Sequence, residues 1–220
     1  MQEYQKEKVN RRVSKVQFNV LLLEADSNYA LTIKQIIESR LPAEVTIVRT
    51  VNIAKKLLTA TPNKFFIGIT SIFSLDSAAF EKIDLFVEFD LRIITIVNRY
   101  EDDLRDQLIK HHVVDYVVKD NQLDSAYICD LILRIYGNSK IKVLVVDDSK
   151  VSRFIVARDL ALQKFQVIHA TNGVEALQKL KEHGDIHLAL VDNQMPKMDG
   201  YRFIAKAREH YNKAAVSGIS

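Results

Sequence analysis

The chain is expected to adopt an α/β fold, two doubly wound parallel sheets in tandem, the second C-terminally incomplete. Three observations carry this: apolar strands alternate with amphipathic helices, the strands are apolar almost throughout, and the pattern recurs at an offset of about 120 residues.

The strands expected are Asn19–Leu23, Val45–Val48, Phe65–Ile69, Ile93–Val97 and Val113–Val118, then Lys142–Val146, Gln166–Ala170, His187–Val191 and Ala214–Ile219. The segments between them carry apolar residues at helical spacing, as in Ile33-Ile36-Ile37-Leu41 and Ile155-Val156-Leu160-Leu162. Alternation of this kind implies a parallel sheet with helices on both faces. Strands covered on both faces are apolar along their whole length, as these are.

The repeat is explicit in the residues. Val20–Asp26 aligns with Val143–Ser149, Phe66–Thr70 with Leu188–Asp192, and Ile94–Asn98 with Val216–Ser220. The expected domains are a leader at 1–15, a first copy at 16–138 and a second at 139–220. The junction Gly137-Asn138-Ser139-Lys140 is short, so the copies are expected to pack together. The first copy runs on after Asn98 through a further helix, strand and helix. By that measure the second lacks about 40 residues and reads as a fragment of a longer protein.

Composition is that of an ordinary globular protein, 48% hydrophobic and 27% charged. A net charge of +3 makes no electrostatic case for nucleic acid, and the basic stretch Lys6–Lys15 reads as a solvated leader. No segment is long and apolar enough to span a bilayer or to serve as a signal peptide. The single Cys129 excludes an intrachain disulfide framework, and a cytoplasmic setting is expected. The pair His111-His112 reads as a helix-end feature, not a metal site.

The chemistry sits at strand ends. Val143-Leu144-Val145-Val146 ends in Asp147-Asp148, and Leu188-Ala189-Leu190-Val191 ends in Asp192. Side by side in a parallel sheet, these runs bring three acids to one edge. Carboxylates that close repel unless a cation or proton offsets their charge. The set asks for a metal, and a metal there suggests phosphate chemistry. Met195, Pro196, Met198 and Gly200 read as loop-shaping residues, and Asp199 as the cap of the next helix.

With Asp147-Asp148, Asp192, Met195-Pro196-x-Met198-Asp199-Gly200 and Ser220 in place, the chain resembles tandem receiver domains of bacterial two-component response regulators. The resemblance covers about residues 16–220 and implies flavodoxin-like sheets. It implies that Asp192 is the phosphoacceptor, taking a phosphoryl group from a sensor histidine kinase or phosphotransfer protein. It implies Mg²⁺ held by Asp147, Asp148, Asp192 and the Gln194 backbone carbonyl, with Ser220 as the switch hydroxyl. The strand-5 lysine of the family has no counterpart before the second copy ends. No catalytic output domain lies in these residues. Proteins with two receivers in series often end in a diguanylate cyclase, and that is the output the resemblance suggests.

The first copy departs from the pattern. Glu24 keeps one acid, Ala25 replaces the second, Asn98 replaces the hydroxyl, and Lys119 remains as a strand-end charge. Thr70 takes the nucleophile position, or Ser71 if the register slips by one. This copy is expected to be a degenerate receiver serving dimerisation or packing. The alternative for the whole chain is a constitutive scaffold that is never phosphorylated. A phosphohydrolase would need an Asp-x-Asp motif after strand 1, and the paired acids there would repel a flavin phosphate.

Overall fold

The computed structural model describes residues 18–72, 76–99, 107–108, 110–119, 124–210 and 215–218. The expected leader and Ser220 lie outside the described residues. The chain divides into two compact units, Met1–Ile132 and Leu133–Ser220.

The first unit contains β1 (Phe18–Leu23), α1 (Ser27–Arg40), β2 (Ala43–Val48), α2 (Val51–Ala60), β3 (Ile67–Ile72), α3 (Ser77–Glu88), β4 (Ile93–Val97) and β5 (Val113–Val118). Helix α4 (Asp124–Asn138) contains the division between the units. The sheet order is β2-β1-β3-β4-β5, and every strand pair is parallel. Strand order reverses beside β1, so the carboxyl ends of β1 and β3 flank the crevice where open α/β sheets bind ligands.

The second unit contains β6 (Lys142–Val146), α5 (Lys150–Leu162), β7 (Gln166–Ala170), α6 (Gly173–Glu182), β8 (Ile186–Val191), α7 (Gly200–His210) and β9 (Ala215–Gly218). Its order, β7-β6-β8-β9, repeats the first four strands of the other sheet. The two parallel α/β sheets are those the sequence pattern predicts.

Side chains with short oxygen-bearing groups start the helices. Asp26 accepts from the amides of Asn28 and Tyr29, Thr50 from Ile53, Asp76 from Ala79, Ser149 from Ser152, and Asn172 from Val174 and Glu175. Each cap satisfies amides that have no partner within the helix and contributes about 1 kcal/mol.

The first core gathers Leu21, Leu23, Phe65, Ile83, Phe86 and Ile93 on one side of the sheet. Gly68 makes room for it, since a Cβ there would stand 2.7 Å from the Phe86 ring. The second core gathers Leu144, Val146, Leu180, Val191 and Phe203. Burying one such side chain contributes about 1.5–3 kcal/mol. Strands β3 and β4 are buried at every residue, whereas buried and more open residues mix along β8. None of the residues of α5 is buried, and Val151 and Phe154 are exposed.

Strands β1, β2 and β8 begin one or two residues before the expected position, and β3 is displaced as a whole. Read from the sequence, β3 runs Phe65–Ile69, with Thr70 at the nucleophile position just beyond it. It continues to Ile72, pairing Thr70 with Thr95 and Ser71 with Ile96, and both hydroxyl residues are buried.

Candidate functional site

The acidic edge of the second unit is built by the β6–β8 pairing. Val146 stands opposite Val191, so the next residues, Asp147 and Asp192, leave adjacent strands together. The Asp192 amide donates to the Val146 carbonyl at 2.8 Å, and the Asp147 amide to the Ala170 carbonyl at 3.2 Å. One carboxylate oxygen from each of Asp147, Asp148 and Asp192 lies within 4.8 Å of the other two. Asp147 and Asp192 are half-buried, and Asp148 is exposed. This is the one group of three or more metal-ligating side chains among the described residues. Hard oxygen donors gathered this closely suit a small divalent cation that keeps some of its water.

Asp147 is anchored at three points. Besides its amide bond, its Oδ1 accepts from the Ser149 amide at 2.7 Å, and its carbonyl accepts from Arg153 Nη1 at 2.6 Å. The loop after Asp192 is shaped by backbone contacts. Lys197 has φ 67°, and the Gly200 amide donates to the Asn193 carbonyl at 3.1 Å. A Cβ on Gly200 would stand 2.5 Å from the Asp192 carbonyl oxygen, so only glycine fits. Asp199 Oδ1 accepts from the Arg202 amide at 2.8 Å at the start of α7. Gln194 is exposed in the same loop.

The corresponding edge of the first unit is different. Glu24 occupies the place of Asp147, its amide donating to the Val48 carbonyl at 2.9 Å. It is only 4% exposed; Oε1 accepts from the Asp26 amide, while the buried Oε2 has no hydrogen-bond partner. The register corrects the expected counterpart of Asp192. Leu23 pairs with Thr70 where Val146 pairs with Val191, so Ser71, not Thr70, matches Asp192. Thr70 points its hydroxyl at the Leu23 carbonyl, 3.0 Å away. The Ser71 hydroxyl is buried without a partner, and the Ser71 carbonyl accepts from Lys82 Nζ at 2.9 Å. Ala25 and Asn98 are exposed. Lys119 is exposed with its Nζ 3.9 Å from the centre of the Tyr29 ring, a cation–π contact. His111 packs on Phe80 and lies 3.7 Å from Asp84.

Residues 143–220 match the family model described as the response regulator receiver domain. That part of the chain belongs to the receiver family. The receiver segment is 46% identical over 72 residues to the sensor histidine kinase CheAY of Helicobacter pylori, covering 32% of this chain and 9% of that protein. It is 34% identical over 73 residues to the two-component response regulator ORR11 of Oryza sativa subsp. indica, covering 33% of this chain and 50% of that one. The chain therefore spans half or less of the length of these relatives. A solved structure described as a two-component system response regulator/GGDEF domain protein is 29% identical, with a TM-score of 0.76. The match covers 92% of this chain and 82% of that one, and so includes both units. No helix among the described residues is long and apolar enough to cross a membrane.

Arg153, Lys82 and Tyr29 are the side chains the sequence reading passed over. Arg153 carried a signal, because it lies one helical turn past the Ser149 cap and so can reach back to the strand end.

Proposed function

We propose that this chain is the input portion of a two-component response regulator, with Asp192 as phosphoacceptor. The observation that carries the reading is the convergence of Asp147, Asp148 and Asp192 at one sheet edge. The receiver match over residues 143–220 supports it.

In this reading Asp147, Asp148, Asp192 and the Gln194 carbonyl hold Mg²⁺, a fit favoured by an all-oxygen, mostly carboxylate donor set. When bound, Mg²⁺ offsets negative charge among the carboxylates and on the transferring phosphoryl group. An Asp192 carboxylate oxygen forms the new O–P bond. The P–N bond to the donor histidine breaks, its electron pair stays on the imidazole nitrogen, and that nitrogen takes up a proton. Ser220 hydrogen-bonds the phosphoryl oxygens. The donor is a sensor histidine kinase or phosphotransfer protein, and the setting is the cytoplasm.

Residues 16–138 form a degenerate receiver that does no phosphoryl chemistry, with 139–220 as the active one. Where the second unit has Asp192 this unit has the buried Ser71, so the phosphoacceptor position carries no carboxylate. The first unit is an interaction module, with a second copy of the chain as its partner. The output is a diguanylate cyclase domain, a reading supported by the likeness to the 29%-identical response regulator/GGDEF domain protein.

The test is to treat the chain with a small acyl phosphate and Mg²⁺ and map the label by mass spectrometry. Label on Asp192, lost in Asp192→Asn, is expected. Label on Ser71 or Thr70, or label that survives Asp192→Asn, overturns the assignment.

A further inference from the structure

The amide, Oδ1 and carbonyl of Asp147 are each held, and the bond to its carbonyl comes from a side chain on another element. Arg153 lies in α5, and its Nη1 donates to the Asp147 carbonyl at 2.6 Å in a part-buried setting. Hydrogen bonds with a charged donor are about twice as strong as neutral ones. The carbonyl it grips belongs to the peptide joining Asp147 to Asp148. That peptide sets the direction in which both carboxylates leave the strand.

A carboxylate on α6 feels the Arg153 charge as well. Glu175, in the first turn of α6, accepts from the Thr171 hydroxyl at 2.6 Å and from the Thr171 amide at 2.8 Å. Its carboxyl is held below the ordinary range chiefly by those two bonds, with the Lys179 and Arg153 charges adding to them. The start of α5 and the end of β6 are thus linked through the Arg153 side chain.

We propose that Arg153 is a positioning residue for the acidic site: by holding the Asp147–Asp148 peptide it pre-aligns both carboxylates for a divalent cation. This rests on the reading of Asp147, Asp148 and Asp192 as a Mg²⁺ site. The Arg153 bond goes to a backbone carbonyl and not to a carboxylate oxygen of the site. Losing it therefore weakens the approach to the metal-bound state and leaves chemistry at saturating metal close to normal.

The experiment is calorimetric titration of the full chain with MgCl₂, for the wild type, R153M and R153K. R153M is expected to bind Mg²⁺ about tenfold more weakly, the low end of what partners of a metal ligand are worth. R153K, which keeps a charged donor without the planar fork, is expected to lose about threefold. Labelling of R153M by an acyl phosphate is expected to need more Mg²⁺ and to reach the wild-type rate at saturation. A fall in melting temperature in EDTA with an unchanged Mg²⁺ dissociation constant is the signature of a purely structural arginine and overturns the proposal. If R153M does not fold, an R153K dissociation constant equal to wild type overturns it. Failure of the wild type to bind Mg²⁺ instead brings down the metal-site reading, and this inference with it.

Discussion

Gly200→Ala tests the acidic loop where it is tightest. A Cβ at this position meets three backbone atoms: the Asp192 oxygen at 2.5 Å, Asn193 Cα at 3.0 Å and the Asp192 carbonyl carbon at 3.2 Å. Backbone atoms cannot swing aside as a flexible side chain does. Reaching ordinary contact near 3.4 Å means parting the Cβ and the oxygen by about 0.9 Å, and overpacking of this kind costs about 1–3 kcal/mol. Alanine recovers about 0.5–1 kcal/mol over glycine inside a helix, and less at the first residue of α7. A net loss of about 1–2 kcal/mol corresponds to a melting point lower by roughly 5–10 °C for a unit of this size. The strain falls on Asp192 itself, and a displacement approaching 1 Å can cost about a hundredfold in rate. The assay is thermal unfolding of the full chain with and without Mg²⁺, the second unit being the transition that Mg²⁺ raises, together with the acyl phosphate labelling rate. A variant with wild-type melting and wild-type labelling would refute the reasoning, because it would show the loop yielding without cost.

Asn172→Ala removes a buried cap that serves two amides of α6 and is expected to lower the stability of the second unit by about 1 kcal/mol, read as the midpoint of its unfolding transition. In the first unit, Thr95→Val and Ser71→Ala each delete a buried hydroxyl that has no partner. Each is expected to raise the Mg²⁺-insensitive transition by about 1 kcal/mol, since an unsatisfied buried group carries its full desolvation cost. Cys129 is buried, and burial pushes its thiol up to about 11 from an ordinary 9.0. The unfolded chain therefore sheds this proton first on alkaline titration. The contribution is complete below pH 9 and is lost as pH rises through about 11, so stability is expected to fall across that window and to fall less in Cys129→Ala. Thiol reagents at pH 8 are expected to label Cys129 only in denaturant.

Much of the fold was legible because its signals are local. An apolar run flanked by helical spacing marks a buried parallel strand, and the repeat supplied an internal control for the first four strands. The acids at 147, 148 and 192 were legible for the same reason, since strand ends on one edge follow from topology alone. The register of β3 was not. Threonine and serine suit either a strand interior or a strand end, and only pairing with β1 and β4 shows that Ser71 stands where Asp192 does. The placement of Lys119 over Tyr29 was also hidden, because it joins residues distant in sequence through a ring face. The apolar spacing of α5 suggested a buried stripe, yet Ile155 is 45% exposed. Periodicity reports which residues share a face and is silent on what covers it.

The contrast between strands buried at every residue and strands with mixed exposure bears on how the chain opens. Amides in β3 and β4 have no exposed neighbours along the strand, so their hydrogens exchange with solvent only when the first unit unfolds as a whole. Along β8, with His187 exposed and Leu188 and Leu190 half-buried, smaller openings suffice. Deuterium uptake should therefore be slower in β3 and β4 than in β8, although the two sheets match in topology over four strands.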